Sequence, residues 1–312
     1  MIKEKSCGAV VYQIKEGIYY FLIEKMQKGH FSIPKGHVEE NESESETALR
    51  EIYEETNLNV QLNTSFREVI TYSPKENHLK DVVFFIGQVI DGVLKNQESE
   101  VKELYFLPFD EAYKILTFSS DKKILLKAYL FLMTKYGKKI IIIGCPGSGK
   151  SYLSKFIQQT THLPLYHLDL LYWYGNWQHI LNEDFIKKQE EIMEKDQWII
   201  DGHFHETLEN RIRNADMVIY FKLRPTTCQK GVQYRIENQM LREDMPSSCV
   251  ETTFDLKFKE CIRHFHERKD PDIQNYLKKY SKNVLTIKSK KQIEDIKRIL
   301  IQQNQKNCQY SS

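Results

Sequence analysis

The 312-residue chain has no Cys-x-x-Cys pair. Its six cysteines (Cys7, Cys145, Cys228, Cys249, Cys261 and Cys308) stand at unrelated spacings. That excludes a zinc knuckle and a disulfide framework, and it points to a reducing, cytoplasmic setting. There is no run of about 18 apolar residues, the length a helix needs to cross a bilayer, so no membrane partner is expected. The opening Met1-Ile-Lys-Glu-Lys-Ser-Cys7 lacks the apolar core of a signal peptide. Neither sign of charge dominates: the formal net charge is +2, without the strongly basic face that specific nucleic-acid binding needs. Internal repeats and low-complexity tracts are absent as well. What remains, 41% hydrophobic and 28% charged residues, fits a soluble globular protein long enough for two ordinary domains. Residues 1–137 carry 17 basic and 21 acidic side chains, and residues 138–312 carry 28 and 22. This mild split suits a metal-binding first half and an anion-binding second half.

The apolar pattern divides the chain the same way. Cys7–Tyr12 and Ile18–Ile23 read as strands around a turn at Glu16-Gly17. Val60–Tyr72, Val82–Val89 and Leu104–Leu107 read as further strands, and helices are expected from Pro108 and over Lys122–Lys135. Gly137 stops that helix. Ile140–Ile143 is then a β-branched run typical of a strand buried on both faces. Trp198–Ile200, Met217–Leu223 and Val284–Ile287 continue the pattern with helical segments between them, which argues for a parallel sheet. The expected domains are 1–136 and 137–306, with a polar, fraying tail at 307–312.

The first half contains an acidic helix. On a helix, Glu51, Glu54 and Glu55 share one face at i, i+3 and i+4, with Ala48, Leu49 and Ile52 roughly opposite. Like charges so spaced repel, and a cation held between them removes that cost. Mg²⁺, with its preference for a few carboxylates and substrate phosphates, suits the arrangement, and Mn²⁺ is an alternative. Ser43 with Glu46 fits a capping box at the helix start, and Asn57 fits a left-handed turn at its end.

The full spacing is Gly36, five residues, Glu42, seven residues, then Arg50-Glu51-Ile52-Tyr53-Glu54-Glu55, and Leu58 two residues on. It resembles the Nudix box, except that Asn57 stands where the family usually has Gly. Ile33-Pro-Lys35-Gly36-His37, Lys80-Asp-Val-Val-Phe84-Phe85 and Glu103–Ala112 resemble the asymmetric diadenosine tetraphosphate hydrolases within that family. The resemblance covers nearly all of residues 3–133. It implies an α/β/α sandwich with a mixed sheet, Mg²⁺ on Glu51, Glu54 and Glu55, and Glu54 as the favoured base. It also implies that Arg50 orients Glu51, that Lys35 and His37 contact phosphate, and that Phe84 stacks on adenine. Glu100 or Glu103 is a candidate further ligand. The implied substrate is a dinucleoside polyphosphate, split to ATP and AMP. RNA 5′ ends and other nucleoside diphosphate derivatives remain the alternative.

In the second half, Gly144-Cys-Pro-Gly147-Ser148-Gly149-Lys150-Ser151 follows a strand and opens a helical pattern. This is the Walker A pattern in its proper context. Glycines let backbone N–H groups turn toward phosphates, the helix N-terminus adds positive potential, Lys150 reaches the β/γ phosphates and Ser151 holds Mg²⁺. Asp169 follows a short strand-like stretch and Asp201 ends a buried one, and such strand ends face the ligand in open α/β sheets. With Arg242-Glu-Asp-Met-Pro, Cys249 and Glu251, the order resembles small P-loop kinases related to adenylate kinase. Within these it resembles the bacterial FlaR-like or topology-modulation proteins, over residues 139–290. That likeness implies a parallel sheet with flanking helices and ATP as co-substrate. It implies that Asp201 supports Mg²⁺, that Asp169 faces a small-molecule phosphoryl acceptor, and that Arg211 and Arg242 neutralise the transferred phosphate. A nucleotide sensor that binds ATP without catalysis is the alternative.

Overall fold

The computed structural model describes residues 2–73 and 77–310. The chain forms two compact units, Met1–Phe131 and Leu132–Ser312. The first contains β1 (Ile2–Lys15), β2 (Ile18–Met26), β3 (Phe31–Ser32), β4 (Lys35–His37), α1 (Glu44–Thr56), β5 (Leu58–Tyr72), β6 (His78–Gly92), β7 (Val101–Pro108) and α2 (Phe109–Ile115). Helix α3 (Ser119–Tyr136) begins in it. The sheet is mixed. Its main order is β3-β2-β1-β6-β5, with β4 on β1 and β7 on β2. Strand β1 runs antiparallel to β2 and parallel to β6.

Helix α1 positions the acidic residues, and local chemistry delimits it. Ser43 Oγ accepts from the Glu46 amide at 3.2 Å while Glu46 accepts from the Ser43 amide at 2.8 Å, satisfying helix-start donors that have no partner within the helix. Asn57 adopts φ 57° and ψ 29°, and its amide donates to the Tyr53 carbonyl, so the expected left-handed cap forms without glycine. Ala48 and Ile52 are fully buried against Cys7, Ala9, Val11, Leu22, Val83 and Phe85 of the sheet. This apolar seam fixes which face of α1 looks away from the core.

The second unit contains β8 (Lys139–Gly144), α4 (Lys150–Thr161), β9 (Leu165–His167), α5 (Leu168–Tyr172), β10 (Trp173–Gly175), β11 (Gln178–His179), α6 (Asn182–Met193), β12 (Trp198–Asp201), α7 (Leu208–Asn214), β13 (Met217–Phe221), α8 (Pro225–Glu237), α9 (Leu256–Arg263), α10 (Phe265–Lys279), β14 (Asn283–Ile287) and α11 (Lys290–Tyr310). Strands β14-β13-β8-β12-β9 form one sheet whose pairings are all parallel. Ile140–Ile143 lie at its centre with 0% exposure, as an unbroken β-branched run requires. Because β12 and β13 flank β8 and their connections leave it on either side, the carboxyl end of β8 is a switch point where α/β sheets receive ligands. One expectation is corrected here. Helix α11 continues to Tyr310, through most of the segment read as a polar tail. Ile293, Ile296, Ile299 and Leu300 anchor it in the core, and extending a seeded helix through Gln, Lys and Asn costs little. Residues 311 and 312 lie outside the described residues. Among the described residues no helix is long and apolar enough to cross a membrane.

Candidate functional site

In the N-terminal unit, Arg50 is the hub of the acidic helix. Its Nε and Nη2 donate to Glu42 at 2.6 and 3.0 Å. Nη2 also donates to the His37 carbonyl at 2.9 Å. Nη1 donates to Glu51 at 3.0 Å and to Glu54 at 3.1 Å. One guanidinium thus ties α1 to the loop before it, and it holds the Glu42 carboxyl down at about 2. Glu51 lies against Gly36 so closely that a Cβ on Gly36 would overlap its carboxylate. That steric fact explains a glycine followed fifteen residues later by an acid. Burial raises the Glu51 pKa against the pull of Arg50.

Glu55 points inward. It is 3% exposed, and its Oε2 accepts from the Lys35 amide at 3.0 Å. Burial, with Glu51 adding to it against Lys35, raises its carboxyl to about 7. Beside it stands Glu24 of β2, which is fully buried; burial and then Glu55 hold it well above the carboxylate range. Lys35 is the cation that acts on both acids. His37 is largely exposed, with Nε2 3.2 Å from Lys80 Nζ. Among the described residues, no three His, Cys, Asp or Glu side chains already surround one point as metal ligands. The cause is visible: Arg50 takes Glu51 and Glu54, and the Lys35 amide takes Glu55.

Two expectations are corrected in this unit. Phe84 is 1% exposed, paired with Gly8 and Glu68 on neighbouring strands, so its ring is core and offers no face to adenine. Glu103 is engaged by Lys25 and Tyr105 rather than by the helix acids. Glu100 reaches Glu51 only through its charge.

The raised carboxyls have a measurable consequence. Between the ordinary value of 4.5 and about 7, folded Glu55 holds a proton that the unfolded chain has released. Stability from this group is therefore fully present below 4.5 and is lost as the pH rises through 7. In EDTA, the urea midpoint of the N-terminal unit should fall between pH 5 and pH 8. A variant carrying Glu24→Gln and Glu55→Gln should show a smaller fall. Equal falls in both would contradict the assignment.

In the C-terminal unit, Gly144, Gly147 and Gly149 all have positive φ. A Cβ on Gly144 would overlap Phe221, and one on Gly147 would overlap Cys228 and Val232. Lys150 Nζ donates to the Cys145 carbonyl at 2.9 Å, curling back over the loop. Ser151 Oγ donates to Asp244 at 2.7 Å, while the Ser148 hydroxyl is buried with no hydrogen-bond partner. Arg242 joins Asp169 at 2.9 Å, Asp244 at 2.8 Å and Glu251 at 3.1 Å. Burial opposes ionisation of Asp244, but Arg242 outweighs it and holds that carboxyl low. For Asp169 burial wins over Arg242, and its pKa is raised. Asp201 is 3% exposed, with Oδ2 2.9 Å from His167 Nδ1 and Oδ1 unpartnered. The structure therefore gathers Ser151, Asp169 and Arg242 through Asp244, which the sequence offered only as part of the Arg242-Glu-Asp run.

Arg211 is not among them, and the expectation that it meets phosphate is corrected. Its side chain is 0% exposed and donates to the carbonyls of Gly202 at 2.8 Å, Phe204 at 2.7 Å and His203. Burial lowers its pKa to about 9. It braces the loop after β12 from inside.

Residues 4–129, which hold the mixed sheet and the acidic helix, match the NUDIX domain. The bis(5′-nucleosyl)-tetraphosphatase [asymmetrical] of Sus scrofa is 29% identical over 140 residues, spanning 41% of this chain and 95% of that protein. Its Rattus norvegicus counterpart is 28% identical over the same shares. Among solved structures, a C. elegans Ap4A hydrolase binary complex aligns at 24% identity and a TM-score of 0.39, covering 41% of this chain and 97% of that one.

Proposed function

We propose that the N-terminal unit hydrolyses a dinucleoside tetraphosphate asymmetrically, to ATP and AMP. The observation that carries this reading is the Arg50-centred acid cluster on α1, in a domain whose relatives over nearly their whole length are asymmetric tetraphosphatases. Nudix hydrolases generally use Mg²⁺ or Mn²⁺, and the donors here fit such a hard cation: they are carboxylate oxygens, including the buried pair Glu24 and Glu55. Glu51, Glu54 and Glu55 would hold it through the carboxylate oxygens that Arg50 and the Lys35 amide do not take, and it would supply charge against the phosphate oxygens and acidify a water. Lys35, His37 and Lys80 line up as contacts for the phosphate chain. Glu54, the most exposed of the helix acids, takes the proton of the attacking water. Arg50 fixes Glu51 and the loop at His37.

For the C-terminal unit we propose ATP binding on the Gly144–Ser151 loop and phosphoryl transfer to a small hydroxyl-bearing acceptor. Lys150 and the loop amides hold the phosphates, Ser151 and Asp201 support Mg²⁺, Asp169 receives the acceptor proton, and Arg242 meets the moving phosphate. The Asp169–Arg242–Asp244 network beside Ser151 supports catalysis over a sensing role.

The test is product analysis with diadenosine tetraphosphate and MgCl₂. Equal amounts of ATP and AMP are expected, unchanged in Lys150→Ala, and that variant should lose ATP binding by calorimetry. Two molecules of ADP, or no cleavage by folded protein, would overturn the hydrolase assignment. ATP binding that survives Lys150→Ala would overturn the loop assignment.

A further inference from the structure

We propose that Glu24 is a further carboxylate of the divalent-cation site of the N-terminal unit, facing Glu55 and Glu51 from the sheet beneath α1. The inference rests on the reading of that unit as a metal-dependent hydrolase and adds a residue from outside its acidic helix.

The placement follows from two periodicities. On β2, side chains two apart share a face, and Leu22 packs with Ala48 and Ile52 of α1. Glu24 therefore faces α1 as well, one step further along. On α1, Ala48, Ile52 and Glu55 succeed one another at i, i+4 and i+7 on the buried side. Leu22 thus meets the apolar part of that ridge and Glu24 meets its acidic end. The charges acting on Glu24 are Glu55, Lys35 and Glu51.

Nothing in the fold calls for an acid at this position. Glu24 is 0% exposed, and the only group that bonds its carboxyl among the described residues is another acid, Glu55. Its neighbour across β3 is Ser32, itself buried with an unpartnered hydroxyl. Leucine, which the same face of β2 carries at position 22, would be the cheaper choice for packing. Two buried carboxyls bonded to each other are hard ligands that a hard cation can bridge in place of the proton between them. Lys35 acts on Glu24 and Glu55 and Arg50 is bonded to Glu51, and these two cations face the carboxyls of Glu24, Glu51, Glu54 and Glu55, so a divalent ion would help to balance the group. Arg50 bonds one oxygen of Glu51 and one of Glu54. A cation drawn in by Glu24 and Glu55 would sit at the inner end of the ridge, leaving Glu54 at the outer end free to act on water.

The test is Mn²⁺ titration of the full chain, followed by electron paramagnetic resonance without substrate. Glu24→Gln should raise the Mn²⁺ Kd about tenfold or more, and Glu24→Asp should recover part of the loss. In EDTA the Glu24→Gln variant should melt no lower than wild type, because a buried carboxyl crowded by Glu55 and Glu51 has been replaced by a neutral amide. A wild-type Kd in folded Glu24→Gln would overturn the proposal, as would a lowered melting temperature with unchanged Kd, which marks a packing role. If Glu24→Gln does not fold, Glu24→Leu gives the same reading. Absence of Mn²⁺ binding by wild type would instead sink the metal-dependent hydrolase assignment itself.

Discussion

Glu54→Gln should lower kcat for tetraphosphate hydrolysis by a factor of about 10²–10⁴, the range for removing a positioned general base, and should leave the fold intact. Glu54 is 46% exposed at its side chain, and its bond in the structure is to Arg50 at 3.1 Å. A glutamine oxygen can accept that same bond, and an exposed pair at this spacing contributes only about 0.3–0.5 kcal/mol. Stability should therefore hardly move. The loss should fall on kcat rather than KM, because Glu54 acts on the water and the cation and not on the nucleotide. A companion Glu51→Gln should behave differently. Glu51 is packed on Gly36 and bonded to Arg50, so its replacement should lower stability as well as turnover. Full activity in Glu54→Gln would move the base to Glu51 or Glu55.

The second large effect belongs to Arg211. Arg211→Met should destabilise the C-terminal unit by about 1–3 kcal/mol, the cost typical of leaving a buried acceptor without its donor. Methionine keeps much of the volume but leaves the carbonyls of Gly202, His203 and Phe204 without their donor. Arg213→Ala, two residues on, should shift stability by no more than about 0.5 kcal/mol, since Arg213 bonds only outward to Asn210 among the contacts the structure gives it. Urea unfolding of the two variants gives the comparison directly. A small effect in Arg211→Met would mean that water replaces the guanidinium at those carbonyls. ATP affinity should fall together with stability, because the braced loop begins one residue after Asp201.

The contrast between these arginines shows what could be read from the chain and what could not. Features set by neighbours in sequence were legible. The Ser43–Glu46 box, the Asn57 cap, the Ile140–Ile143 strand and the loop that follows it each depend on residues a few positions apart. Features set by packing were not. Arg211 and Arg213 lie two apart on α7, so they point to different sides, and nothing nearby in sequence says which side is inward. Phe84 belongs to the run Val82–Ile86, apolar throughout, where alternation cannot distinguish one face of a strand from the other. Glu24 stands one residue past the apolar run Ile18–Ile23, and nothing beside it in sequence marks it as buried. Its burial emerges only once α1 has folded over β2. Asp244 had no visible partner until Ser151, 93 positions earlier, was brought beside it.

The parallel pairing of β1 with β6 has a consequence for how the chain is made. The partners run from Ile2↔His78 to Tyr12↔Gln88, each separated by 76 residues. At ribosomal speeds of about 5–20 residues per second, β6 follows β1 out of the exit tunnel by roughly 4–15 s. During that interval β1 can form its local hairpin with β2, but the edge that β6 will cover is bare. That edge runs past Ala9, Val10 and Val11, which are fully or almost fully buried in the finished fold, and a bare apolar edge recruits whatever strand comes near. Long-range parallel pairing is slow to form, so newborn chains should depend on holding factors at this stage. Lowering growth temperature or expression rate should increase soluble yield more than any change to the surface of the folded protein.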